Sequence, residues 1–147
     1  MFERILMVVG VGLCHQLPER SFVAGGIQVP VCARDTGIYV GFVLSALLIS
    51  LLDGDRKPAS RPSWLAAVVA AVGFLAMVVD GFTSYAGMRT TTNDLRLWTG
   101  LAAGWAMALA VMPVLRGQVW RNPGEGHVLE RPWQVLIWTA AMPAAFG

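Results

Sequence analysis

Cys14 and His15 stand side by side, and Cys32 and Asp35 follow beyond a Gly/Pro-bearing turn region, so this short segment holds both cysteines and one of the chain's two histidines. Two thiols, an imidazole and a carboxylate are the ligand types of a tetrahedral zinc site, in which the carboxylate is the donor most readily replaced by substrate or water. Cys32 and Asp35 are three apart, a spacing that points both side chains the same way if Asp35 begins the following helix. Cys14 and His15 are adjacent and cannot easily both reach one ion, and no C-x-x-C pair is present. Two other readings therefore stand beside zinc. One is a disulfide closing a loop of about eighteen residues, worth roughly 3 kcal/mol in the chain-entropy model. The other is a hydrogen-bonded knot in which Asp35 caps a helix and His15 donates to a backbone carbonyl.

Further polar residues stand at the ends of apolar runs: Asp80 closes one, Arg96 opens another, and Asn93 lies just before it. A lone charge at such a depth is costly, so Asp80 is expected to pair with Arg96 or Arg34. The plain use of that pair is a static clamp between helices. The functional use has Arg20, Arg34 and Arg96 hold an anionic group, such as a lipid phosphate or a carboxylate, near the metal. Metal-activated water is then the most economical chemistry. Nucleophilic-serine, P-loop and H-E-x-x-H arrangements are absent.

The elements that must position these groups are apolar. Of 147 residues 56% are hydrophobic and 14% charged, against about a quarter charged in soluble domains, which indicates a single integral membrane domain over residues 1–147. Eleven basic and nine acidic residues provide no broad basic surface, and nucleic acid is excluded as a partner. Apolar stretches cover Phe2 to Leu13, Thr36 to Leu52, Ser63 to Val79, Leu95 to Leu115 and Trp133 to Phe146. The first lacks a small-residue cleavage site and is read as retained. With about 20 residues needed to cross the hydrocarbon core, the expectation is an all-α transmembrane bundle of four to five helices with short loops, the outer two being the shortest. Asn93 is expected to cap the helix that follows it, and Pro113 and Pro143 to kink or end theirs.

Arg56, Lys57 and Arg61 lie in one loop and Arg116, Arg121 and Arg131 in another, so the positive-inside bias makes both cytoplasmic and turns the Cys/His segment outward. In a prokaryote this describes a multi-pass protein of the cytoplasmic membrane. Small residues recur every four positions at Gly37, Gly41 and Ser45 and at Gly100, Gly104 and Ala108. Each series lets another backbone approach closely, so the two helices are expected to cross in contact. The rival use of either stripe is a face for a membrane-protein partner or a second copy.

The elements Cys14 to Phe22, Pro30 to Gly41, Asp80-Gly81 and Asn93 to Gly100 together resemble an uncharacterised family of small predicted prokaryotic membrane proteins, a domain of unknown function. The resemblance spans about the first two thirds of the chain. It implies a multi-span fold with a shared polar site and no established activity. It also implies a further cysteine where this chain has Asp35, which disfavours a four-thiolate or iron–sulfur arrangement and leaves a mixed-ligand or metal-free site. The function expected is an outward-facing site at Cys14, His15, Cys32 and Asp35, supported by Arg20, Arg34, Asp80, Asn93 and Arg96, zinc-loaded and acting on an anionic or lipid-like substrate. The alternative is a non-enzymatic accessory or assembly subunit of a larger membrane complex.

Overall fold

In the computed structural model of the chain, residues 2–12, 14–122 and 124–144 are described. Leu13 and the end of the last apolar stretch, residues 145 and 146, lie outside them. Among these residues five α-helices follow in order: α1 (Phe2–Val11), α2 (Ala33–Asp53), α3 (Trp64–Tyr85), α4 (Asn93–Val119) and α5 (Pro132–Ala144). Three of them, α2, α3 and α4, are long and apolar enough to cross a membrane. At 10 and 13 residues, α1 and α5 fall short of the length a spanning helix needs.

The all-α expectation is corrected by four short strands. Strands β1 (Ser21–Ala24) and β2 (Ile27–Cys32) form an antiparallel hairpin. Gly25 and Gly26 turn it at φ 58° and 81°, the doubly positive pair that a two-residue hairpin turn of the primed type requires. Strands β3 (Pro58–Pro62) and β4 (Gly124–Val128) pair in parallel at the opposite end of the bundle. Neither pair has the length or clean alternation that marks a strand in sequence.

Helix starts follow from side-chain oxygen or sulfur placed just ahead of them. Ser63 Oγ accepts from the Ala66 amide at 3.4 Å, and Thr92 Oγ1 accepts from the Leu95 amide at 3.3 Å. Thr92, not Asn93, is thus the cap of α4. Gly54, at φ 56°, ends α2. Pro113 does not end α4, which continues for six residues to Val119.

Helices α2 and α4 run side by side in the same direction, with α3 antiparallel against α4. The two small-residue stripes face each other, as their spacing predicts. A Cβ on Gly37 would meet the Leu97 carbonyl, one on Gly100 the Arg34 carbonyl and one on Gly104 the Ile38 carbonyl. Backbone-to-backbone approach supplies the packing where lipid gives no hydrophobic drive. Ser45 adds a polar lock: its Oγ donates to the Trp105 carbonyl at 3.0 Å and accepts from Trp138 Nε1 at 2.9 Å. Trp105, Leu109, Ile49 and Trp138 form the core beneath it. By contrast, α3 buries only Ala66 and Asp80 and presents Val72, Leu75, Val79 and Phe82 outward, as a lipid-facing helix does.

Candidate functional site

The hairpin, the start of α2, the end of α3 and the start of α4 meet at one end of the bundle. Gln16 fastens the hairpin there. In left-handed backbone at φ 52°, its side-chain nitrogen donates to the Met7 carbonyl at 2.8 Å and the Pro30 carbonyl at 3.0 Å, while its own carbonyl accepts from Gln28 at 2.8 Å. Asn93 links α4 to the same hairpin, donating to the Ser21 carbonyl at 3.5 Å.

This clasp brings Cys14 against Cys32. One donor atom each from Cys14, Cys32 and Asp35 lies within 4.8 Å of the others, and both thiols are free. The helix begins at Ala33, so Cys32 is its cap, with Sγ accepting from the Asp35 amide at 3.5 Å. Asp35 therefore sits in the first turn, where a carboxylate is favoured by the helix dipole, and does not cap it. The three-residue spacing still sets both donors together. His15 stands outside this group, because adjacent residues send their side chains apart, but it lines the same cavity of about 440 Å³ with Arg20 and Tyr85. Burial, reinforced by the Asp35 carboxylate and by Cys14, pushes the Cys32 thiol up to about 11, against the partial relief of the Asp35 amide.

Asp80, 1% exposed, organises the other half of this end. Its Oδ2 accepts from Arg34 at 2.5 Å and Thr99 at 3.2 Å, and its Oδ1 from Arg89 at 2.6 Å and Thr91 at 3.2 Å. Arg34 is thus the expected partner. Arg96 is not; it donates to Asn93 Oδ1 at 3.2 Å instead. The sequence reading missed Arg89, Thr91 and Thr99. A signal was present: a buried carboxylate has room for about four donors, more than one guanidinium supplies, and Arg89 lies just across the turn that ends α3.

This end coincides with what the chain shares with other proteins. The family model described as a predicted membrane protein, DUF2085, matches residues 14–110, beginning at Cys14 and running through α4's crossing with α2. The chain belongs to this family. An uncharacterised protein of Methanocaldococcus jannaschii is 32% identical over 113 residues, covering 75% of this chain and 68% of the relative. An uncharacterised protein of Methanothermobacter thermautotrophicus is 39% identical over 100 residues, 66% of this chain and 82% of the relative. No solved structure matches the chain. The DUF2085 match takes in every residue of the Cys14 and Asp80 groups, whereas β4 and α5 lie beyond it.

Proposed function

We propose that this DUF2085 protein is a multi-pass protein of the prokaryotic cytoplasmic membrane that binds zinc through Cys14, Cys32 and Asp35 on its outer side and acts there on an anionic or lipid-like substrate. One observation carries the reading: two free thiols and a carboxylate, brought together from two segments of the chain, converge within 4.8 Å. Donors of a tetrahedral zinc site with bonds of about 2.3 Å stand roughly 3.7 Å apart, so a small inward movement of these side chains suffices. Three protein donors leave a fourth position, for which His15 and solvent from the shared cavity compete. Zinc bound there supplies Lewis acidity. The protein's own part is to hold the donors on a helix start and a clasped hairpin, and to gather cations alongside. Because the Cys32 thiol is pushed up to about 11, loading must displace its proton, and affinity rises with pH. The outward orientation rests on the basic residues collected at the β3/β4 end.

Elemental analysis of detergent-purified protein tests this directly. One zinc per chain, lost in Cys32→Ser and in Cys14→Ser, is the expected result. A metal-free chain whose two cysteines are joined by a disulfide would refute it and favour a structural knot.

A further inference from the structure

One cavity beside Asp80 is lined by more guanidiniums than carboxylates. Asp80 already accepts from Arg34, Arg89, Thr91 and Thr99, which fills the capacity of a carboxylate. Nε of Arg34 is buried without a hydrogen-bond partner among the described residues. Arg20 and Arg96 make no ion pair among the described residues. Both line a second cavity, about 470 Å³, with Arg89, Thr90, Thr91 and Glu19. Arg96 is within electrostatic reach of Arg20, Arg34, Asp80 and Cys32. Arg20 lines this cavity and the one that holds Cys14, Cys32 and Asp35.

We infer that this second cavity binds a phosphate group, held by Arg20 and Arg96 beside the guanidinium of Arg89. Three guanidiniums (Arg20, Arg89 and Arg96) line the cavity against one carboxylate (Glu19), a local excess of positive charge that favours an oxyanion. A planar carboxylate engages one guanidinium fork well; a tetrahedral oxyanion accepts on several sides at once, and arginines converging from the short turn ahead of the hairpin, a loop and a helix suit it. The cavity is built on the loop joining α3 to α4, the level at which two candidate spans emerge, so the phosphate is that of a lipid headgroup or of a free phosphate or phosphate ester. The inference deepens the proposed function by naming its anionic substrate class. It relies on that reading only for which end is at work, since the arginines need no metal.

The test is titration of inorganic phosphate into the detergent-purified full chain by calorimetry, beside native mass spectrometry in micelles doped with phosphatidate or with uncharged diacylglycerol. Saturable phosphate binding, weakened at least tenfold in Arg96→Gln and in Arg20→Gln but unchanged in Arg121→Gln, supports the site and a soluble source. Retention of phosphatidate but not diacylglycerol, lost in the same two variants, supports it with a lipid source. Arg20 is exposed and makes no ion pair, so its variant should fold, and Arg96→Lys should recover part of the affinity. Binding of neither probe, or equal binding by wild type and both glutamine variants, overturns the inference. Each titration is repeated in Cys32→Ser. Undiminished binding keeps the phosphate site even where zinc is absent from wild type, whereas loss of binding there assigns the anion to the metal and overturns the arginine assignment.

Discussion

Two buried aspartates hold the two ends of this bundle, and they are built differently. At the β3/β4 end, Asp53 and Arg116 are each 4% exposed and meet at 2.6 Å. Arg116 also donates to the carbonyls of Pro58 at 3.2 Å and Ile49 at 3.4 Å, and Asp53 accepts from the Leu129 amide at 3.2 Å. One acid meets one base and the remaining contacts are to backbone, so the pair is matched in charge, although Arg116 also lines a cavity of about 310 Å³. At the other end Asp80 gathers two arginines, Arg20 and Arg96 stand near without an ion pair among the described residues, and Arg20 lines both the cavity bordered by Arg89 and Arg96 and the one that holds the two thiols. A neutral, saturated pair ties elements together; a surplus of charge beside open volume is what a ligand can complete.

That contrast can be broken first at the closed end. Arg116→Met strands a buried carboxylate and should cost about 3–5 kcal/mol, with Asp53→Leu/Arg116→Met recovering most of it. Thermal unfolding in detergent measures both, and a double variant no better than the single would show that the pair is not self-contained. Gly100→Ala reaches the open end through the backbone, because its Cβ would meet the Arg34 carbonyl. It should cost about 1–3 kcal/mol in the same assay. Arg89→Gln, at a half-exposed residue, should cost only about 1 kcal/mol, since Asp80 keeps Arg34, Thr91 and Thr99. A loss as large as that of Arg116→Met would erase the distinction between the ends.

The smallest expected effect is chemical. Alkylation of Cys32 in metal-stripped Cys14→Ser protein should stay slow at neutral pH and climb as pH approaches about 11, because burial disfavours the thiolate. Fast labelling at pH 8 would contradict the half-buried placement of this thiol.

The α2/α4 crossing was legible in the sequence because a stripe of small residues has few other uses in lipid. The convergence of Cys14, Cys32 and Asp35 was legible because a turn returns one cysteine to the other and the three-residue spacing survives a helix start shifted to Ala33. The Asp53 pair was not. Asp53 stands next to Gly54 at the end of an apolar stretch and Arg116 counts as one more flanking base, since the rule that sorts loop charges by membrane side does not tell a buried arginine from a solvated one. Arg89 was passed over for the same reason. The parallel pairing of β3 and β4 joins segments over sixty residues apart with almost no alternation, so only tertiary contact specifies it.

The proposed zinc site is tested most directly through its donor set. X-ray absorption at the zinc edge of the purified protein should show two sulfur neighbours at about 2.3 Å with lighter donors completing the shell, one sulfur disappearing in Cys32→Ser. A shell of oxygen and nitrogen alone, or one unchanged by that substitution, would contradict it.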